Sequence, residues 1–230
     1  MISALEKLSD GAFESFWGRL SMSEVQICPQ NSGRITESLC DSIVSLYPDT
    51  TFRLHANARV DVQHRLWDAS CFSEDSLHYF KQLAFISHYL KSPAYSLHAG
   101  YKENASLDQV LEYRKSIQDI FGDIPVALEG LYPSKNRPQL MDTWKDYEKV
   151  FNSGAFIAID FSHLQIVAKS EGSWEKDLVL EMVTSKQCLE VHVSDNNGFQ
   201  DNHFQVRSCP SWMDILSKSS AVCFSEGRLL

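Results

Sequence analysis

Six apolar runs of strand length in this chain each end in a residue that can bind a divalent metal ion. In chain order the six residues are His55, His98, Glu129, Asp160, His192 and Glu226. The carboxyl ends of the strands of a parallel α/β barrel converge on one mouth, so residues that are distant in sequence become neighbours there. Imidazole nitrogens and carboxylate oxygens are ligands of Zn, Mn, Fe, Co and Mg ions. The pattern therefore predicts a divalent-metal site at the mouth of a barrel.

Three further candidates follow two of these strand ends. His163 lies three residues after Asp160, and Asp201 and His203 lie in the loop after His192. A single residue of this kind at one strand end is more often explained by capping or by a hydrogen bond. Nine of them at recurring positions favour metal binding.

Spacing alone leaves the number of ions open between one and three. Four residues could close around a single ion: Glu129, Asp160, His192 and Glu226. His55 and His98 could bind a second ion that Glu129 bridges. The three residues beyond the strand ends, His163, Asp201 and His203, could bind a third.

The other polar candidates have a weaker pattern. Asp195 follows His192 by three residues and has three open interpretations: a ligand, a residue that orients His192 through a hydrogen bond, or a loop residue. His64, His78 and His88 lie in a predicted loop or on predicted helices. We interpret these three histidines as surface or packing residues.

The elements that must position the candidates alternate along the chain. The apolar runs predict strands over 24–28, 52–57, 95–100, 125–130, 155–160, from Cys188 onward, and over 221–226. Helical spacing, caps and stops predict helices over 3–20, 35–47, 77–90, 106–121, 142–152, 173–186 and 210–217, with Ser106, Asp142 and Ser173 as N-caps.

This alternation predicts parallel βαβ units with right-handed crossovers, hence an α/β fold with a TIM-type barrel. Seven strands are recognisable rather than eight. Either the barrel is shortened, or a strand within 1–24 escapes recognition. The polar segment 58–75 is predicted to be a long loop that could cover the site.

The totals are those of a soluble globular protein. The 230 residues are 43% hydrophobic and 22% charged, and a TIM-type barrel can occupy 1–230 as one domain. Apolar runs fall short of the ~20 residues of a membrane span, and the first residues lack the pattern of a signal peptide. We therefore expect a cytoplasmic protein without a membrane partner. Six cysteines without a CxxC pair argue against a disulfide framework or a zinc ribbon.

The charge bears on the partner. The formal net charge is −9, and lysine and arginine form no cluster in the sequence. Proteins that grip phosphate backbones usually present a basic face. The charge therefore disfavours a nucleic-acid partner and is compatible with a small-molecule substrate, while the oligomeric state is not indicated.

Short motifs at the predicted strand ends carry a family resemblance. They are LHAG at 97–100, ALEG at 127–130, IDFSH at 159–163, VHVSDNNGFQDNH at 191–203 and SEG at 225–227. In this order they resemble the xylose-isomerase-like TIM-barrel superfamily, over about 52–227. That superfamily includes sugar-phosphate isomerases and epimerases, hydroxypyruvate isomerase and endonuclease IV, and multinuclear iron oxidases that modify peptides use a similar barrel.

The resemblance implies roles for the nine candidates. The epimerase pattern implies one divalent ion bound by Glu129, Asp160, His192 and Glu226. It further implies that Glu129 and Glu226 are the acid/base pair and that His163 contacts substrate. The endonuclease IV pattern adds His55, His98, Asp201 and His203 to give a three-metal set. One departure is the loop at 204–210, FQVRSCP, where relatives usually carry a glycine-rich turn that contacts substrate phosphate or hydroxyl groups.

Three functions are compatible with these residues. We expect a metal-dependent isomerase or epimerase that acts on a small sugar or hydroxy-carbonyl substrate through an enediolate. The first alternative is a metal-dependent phosphodiester hydrolase that resembles endonuclease IV. The second is a multinuclear iron enzyme that oxidises a peptide or small molecule, or a non-catalytic relative that binds a peptide.

Overall fold

Nine strands and eight helices are described in this computed structural model, which covers residues 2–28, 33–61 and 67–228. The strands are β1 Phe13–Glu14, β2 Gly18–Arg19, β3 Glu24–Ile27, β4 Thr51–Leu54, β5 Tyr95–His98, β6 Val126–Glu129, β7 Phe156–Asp160, β8 Cys188–Val193 and β9 Val222–Ser225. The helices are α1 Ile2–Ser9, α2 Glu37–Leu46, α3 Leu77–Tyr89, α4 Leu107–Phe121, α5 Trp144–Asn152, α6 Phe161–Glu171, α7 Lys176–Thr184 and α8 Met213–Leu216.

The strands β3 to β9 are the seven parallel strands of the barrel. Strands β5 to β9 form one sheet in sequential order, and β3 pairs with β4. A parallel bridge between His55 and Ser96 joins the two sheets, and β9 contacts β3. The apolar side chains of these strands and of the helices around them form one buried core. The predicted α/β fold with a shortened TIM-type barrel is confirmed.

The predicted helix over 3–20 is wrong beyond its first half. Helix α1 ends at Ser9, and β1 and β2 pair as an antiparallel hairpin. Gly11 and Gly18 have φ angles of 99° and 76°, a left-handed conformation that a right-handed helix cannot contain. Phe13, Phe16 and Trp17 recur at helical spacing, but these glycines divide the segment into turns.

The hairpin lies at the carboxyl end of the barrel. Glu14 is buried and accepts a hydrogen bond from the Ser225 hydroxyl at the end of β9. The Ser15 hydroxyl lies 3.4 Å from Oε1 of Gln205. The described part of 1–24 therefore supplies two antiparallel strands beside the mouth, and β3 begins only at Glu24.

Helix α6 is not predicted by the sequence pattern. It begins directly after β7, without a loop, and Asp160 is its N-cap. Oδ1 of Asp160 accepts hydrogen bonds from the backbone N–H groups of Ser162, at 2.6 Å, and of His163, at 3.3 Å. This cap turns the chain from strand to helix and brings His163 back over the end of β7.

Two of the predicted caps are also corrected. Thr143, not Asp142, caps α5 through a hydrogen bond to its Oγ1, and Asp142 instead pairs with Lys102 at 2.7 Å. Ser173 does not cap α7, because that helix starts at Lys176. The predicted cap of α4 is correct: Ser106 forms a capping box with Gln109.

The predicted loop 58–75 is described only in part, since 62–66 and with them His64 lie outside the described residues. Its later part contains a 3-10 turn at Ala69–Cys71. Of the helices in the described ranges, none combines the length and apolarity that a membrane crossing requires.

Candidate metal centre

Glu129, at the end of β6, lies at the centre of the barrel mouth with only 1% of its surface exposed. Its carboxylate oxygens lie close to four imidazole nitrogens: 3.3 Å from His192, 3.4 Å from His55, 3.5 Å from His163 and 3.8 Å from His98. Burial alone would raise the pKa of Glu129, but the surrounding imidazoles outweigh it and hold that pKa well below its ordinary value.

A second group of contacts extends from His163 across the mouth. Nε2 of His163 lies 3.5 Å from Oδ2 of Asp160 and 3.5 Å from Oδ2 of Asp201. Nε2 of His203 lies 2.9 Å from the same oxygen of Asp201. Nδ1 of His163 donates to the backbone carbonyl of Gly130 at 2.9 Å, which directs Nε2 towards the two carboxylates.

Glu226 joins the two groups. Oε1 of Glu226 lies 3.4 Å from Nδ1 of His192, and Oε2 lies 3.4 Å from Nδ1 of His203. Contacts of 2.9–3.8 Å thus link all nine candidates of the sequence analysis. We call them the mouth cluster: His55, His98, Glu129, Asp160, His163, His192, Asp201, His203 and Glu226. Their role as ligands stays a prediction.

Strand register explains part of this convergence. His98 of β5 is directly opposite Glu129 of β6. Asp160 of β7 is directly opposite His192 of β8. Because parallel neighbours in register present side chains side by side, these residues, the last of β5, β6 and β7 and the second-last of β8, form two adjacent pairs.

The mouth cluster contains buried polar atoms without hydrogen bonds. Among the residues that the structure describes, Oε2 of Glu129, Oδ2 of Asp160, Nδ1 of His192 and Nδ1 of His203 have no hydrogen-bond partner. Unpaired buried groups of this kind are costly and call for an explanation. Carboxylate oxygens and imidazole nitrogens are ligand atoms of divalent cations, so the chemistry of these unpaired atoms fits metal binding at the mouth.

Three groups of described side chains bring their ligand atoms within 4.8 Å of one another. They are His55 with His192 and Glu226, His55 with His98 and Glu129, and Glu129 with Asp160 and His163. The groups share members, so the cluster offers candidate positions for more than one ion.

Buried charges perturb the acids and bases of the mouth cluster. Burial, together with the charges of Glu226, Asp201 and Glu129, raises the pKa of Asp160 to about 7, although His163 opposes the shift. Burial disfavours the charged form of His192, but Glu129 and Glu226 outweigh it and raise its pKa well above the usual range. The carboxylates thus favour positive charge between them, whether from protons or from a cation.

Asp195, His78 and His88 lie apart from these contacts. The backbone of Asp195 pairs with Phe204, and its Oδ1 accepts from the backbone N–H of Asn196 at 2.8 Å. Of its three interpretations, the loop residue fits best, since this pairing holds the loop that carries Asp201 and His203. His78 and His88 are exposed on α3.

A second set of polar residues, beneath the mouth cluster, was not singled out by the sequence analysis. We call it the floor network: Gln26, Arg53, Ser96 and Glu190. Arg53, Ser96 and Glu190 each precede a histidine of the mouth cluster by two residues. Residues two apart on a strand share a face, so this Arg-x-His, Ser-x-His and Glu-x-His spacing is the signal that could have found them.

Solved structures share this fold. A D-tagatose 3-epimerase-like protein superimposes with a TM-score of 0.71 at 15% identity, over 98% of this chain and 85% of that chain. An AP endonuclease of family 2 from Brucella melitensis gives 0.57 at 13% identity, over 96% and 83%. A 3-keto-D-glucoside 4-epimerase from E. coli gives 0.57 at 14% identity, over 86% and 81%. No family model and no curated protein matches the sequence.

At these identities the likeness establishes the fold. The chain has the TIM-barrel fold of these proteins, as its sequence predicts. What the mouth cluster does must be argued from its own residues.

Proposed function

We propose that this protein is a divalent-metal-dependent isomerase or epimerase that acts on a small sugar or hydroxy-carbonyl compound. One observation carries the proposal: two carboxylates approach the same imidazole nitrogen. Nδ1 of His192 lies 3.3 Å from Glu129 and 3.4 Å from Glu226. Proton transfer between two carbons or two faces requires an acid and a base close together, and these two carboxylates meet that requirement. Epimerases among the proteins of similar fold add support.

The residues that would hold the cation are Glu129, Asp160, His192 and Glu226. When bound, a divalent cation would polarise the substrate carbonyl and stabilise the negative charge of the enediolate. The acidic protein, with a net charge of −9, suits a small polyol better than a polyanion.

The two glutamates differ in access to the opening. The side chain of Glu226 is 18% exposed, whereas that of Glu129 is almost fully buried. Despite burial, the neighbouring imidazoles lower the pKa of Glu226, as they do that of Glu129, so either can act as a base near neutral pH. One glutamate removes the proton next to the carbonyl and is left protonated. The other, protonated from solvent before the reaction, delivers its proton to the neighbouring carbon or to the opposite face and is left ionised. Proton exchange with solvent then restores the pair.

The assignment of His163 follows its contacts. Its Nδ1 is occupied by the Gly130 carbonyl, and its Nε2 faces Asp160 and Asp201. This environment supports a role as a ligand more than a role in contacting substrate.

A second candidate, a metal-dependent phosphodiester hydrolase, is favoured by the size of the mouth cluster. One ion needs four of its nine members, and five remain for further ions: His55, His98, His163, Asp201 and His203. Two or three ions could generate hydroxide and hold phosphate oxygens. The net charge of −9 argues against the nucleic-acid form of this activity.

Metal analysis and isotope exchange test the proposal together. The protein is purified without chelator, its metals are counted, and keto-sugars are incubated with it in D2O and followed by NMR. One Mn, Mg or Co per chain with deuterium at the carbon next to the carbonyl supports isomerisation. Two or three Zn ions with cleavage of an abasic-site oligonucleotide would replace it by the hydrolase. Iron with visible absorbance would favour the oxidase.

A further inference from the structure

Glu190 is a buried carboxylate that the proposed reaction does not use. It lies on β8 with 0% of its surface exposed. Its Oε1 accepts from Gln26 Nε2 at 2.8 Å, from His192 Nε2 at 3.1 Å and from the Ser96 hydroxyl, and its Oε2 accepts from Arg53 Nη1 at 3.2 Å. Burial of a carboxylate is costly unless donors of this kind surround it, so its position needs a reason.

The first contact fixes the proton on His192. An ionised carboxylate only accepts hydrogen bonds, so Nε2 of His192 must donate to Glu190. In the neutral imidazole Nδ1 is then the bare nitrogen, and it faces Glu129 and Glu226. The Gln26 amide nitrogen also lies 3.1 Å from Nε2. A bare Nε2 could accept from that amide, but its lone pair would then face the charged Oε1.

The second contact fixes the proton on His55 through one hydroxyl. The Ser96 hydroxyl donates to Glu190, so its oxygen accepts from Nδ1 of His55 at 2.8 Å. Nε2 of His55 is left bare, 3.4 Å from Glu129. The two imidazoles are neighbours, with ring centroids 4.7 Å apart, and need opposite tautomers to face the same mouth.

We propose that Glu190 is a positioning residue that sets both tautomers, Nε2–H in His192 and Nδ1–H in His55, so that each ring presents a bare nitrogen to a cation of the mouth cluster. The inference rests on the metal centre of the proposed function, but not on the reaction assigned to it. Carboxylates that orient metal-binding histidines typically change metal affinity by about 10- to 100-fold when they are removed.

The test is Glu190→Gln, read out by Zn²⁺ affinity in competition with a chromophoric chelator. We expect Zn²⁺ to bind about 10- to 100-fold more weakly. The matched control is Glu24→Gln, because Glu24 holds the same guanidinium of Arg53 at 3.2 Å, whereas the described contacts of the two histidines are with Glu190 and not with Glu24. Equal losses in both variants would make Glu190 a structural partner of Arg53 and overturn the proposal, as would an unchanged affinity in Glu190→Gln.

NMR of the histidine ring nitrogens reports which nitrogen of each imidazole carries the proton. A purely structural role of Glu190 would leave these protonation sites unchanged. In the Zn²⁺-loaded protein, labelled with ¹⁵N at histidine, we expect one ring protonated at Nε2 and one at Nδ1, assigned by His192→Gln and His55→Gln. Ser96→Ala removes the hydroxyl between Glu190 and His55 but leaves the hydrogen bond between Glu190 and His192. It should therefore perturb the His55 ring more than the His192 ring, and it serves also if Glu190→Gln fails to fold. An unchanged His55 signal in Ser96→Ala would contradict the proposal.

The outcomes separate this inference from the proposed reaction. Zn²⁺ binding that depends on Glu190 without deuterium exchange into any keto-sugar would remove the isomerase and leave the inference intact. Deuterium exchange into a keto-sugar, together with a Zn²⁺ affinity that does not depend on Glu190, would support the isomerase and overturn the inference about Glu190. A wild-type protein that binds no Zn²⁺ would overturn the inference.

Discussion

The mouth cluster and the floor network are neighbouring layers of the same barrel, and they accommodate buried charge in opposite ways. On three strands the two layers are one pleat repeat, or about 7 Å, apart. In the floor network both oxygens of Glu190 have donors. In the mouth cluster Oε2 of Glu129 and Oδ2 of Asp160 have no hydrogen bond from the described residues. The carboxylate of the lower layer is thus satisfied by protein donors, although Nε of Arg53 makes no hydrogen bond with the described residues, whereas carboxylate oxygens of the upper layer remain open to a cation.

Two carboxylates illustrate the difference. Burial opposes ionisation of Glu190, but its hydrogen bond with His192 and the charges of His192, His55 and Arg53 lower its pKa to about 2. Burial also opposes ionisation of Asp160, and there the neighbouring carboxylates add to it, so the pKa rises to about 7. Burial is common to both residues, and the sign of the shift follows from the neighbours.

The largest effect is expected from Glu129→Gln in the mouth cluster. The variant should fold but lose about 10³-fold or more in deuterium exchange, since the proposed function makes Glu129 both a base and a ligand. Exchange rates and circular dichroism measure the two properties. Glu112→Gln, on the exposed face of α4, is the control and should retain full activity. Retained turnover in Glu129→Gln would remove this residue from the mechanism.

The next effect is on thermal stability. A cation present at 100 times its Kd should stabilise the protein by about 2.7 kcal/mol, which corresponds to about 5–10 °C in Tm for this chain length. Thermal melts with Zn²⁺ or Mn²⁺, before and after EDTA, check this. Asp160→Asn should lose most of the gain, whereas Glu24→Gln should keep it. An equal gain in both variants would place the cation outside the mouth cluster.

The two layers should also respond to pH with opposite signs in the metal-free protein. The raised pKa of Asp160 means that the folded state binds the extra proton, so stability falls as pH rises from about 3.8 to about 7. The lowered pKa of Glu190 means that its contribution is present above about 4.5 and is lost as pH falls towards 2. Urea unfolding at several pH values should therefore show a flatter profile for Asp160→Asn above pH 4. A slope equal to that of the wild type would contradict the assignment.

The smallest effect is expected from Glu24→Gln at the edge of the floor network. The Glu24 side chain is 33% exposed, and its ion pair with Arg53 is partly screened by solvent. We expect a loss of less than about 1 kcal/mol in the free energy of unfolding, measured by urea denaturation. A larger loss would mean that the floor network depends on both carboxylates that contact Arg53, those of Glu24 and Glu190.

The strand ends of the site were predictable because near-continuous apolar runs mark buried parallel strands, as in β6 and β7. The floor network was not, since Arg53 and Glu190 meet across 137 positions of sequence. A local sequence pattern cannot predict contacts between residues that are so far apart in the chain. Helix α6 was missed because Asp160 serves as the last residue of a strand and as a helix cap, leaving no loop between them. The hairpin was missed because apolar spacing outweighed Gly11 and Gly18.

The carboxylate of Asp160 divides its two oxygens between backbone and cluster. Oδ1 holds the first amides of α6, and Oδ2 faces His163. The helix start and the cluster therefore cannot shift independently, because one planar group belongs to both. The backbone amide NMR signals of Ser162 and His163 should therefore shift when a cation binds in the mouth cluster. Substitutions that destabilise the first turn of α6 should weaken cation affinity even though they change no predicted ligand.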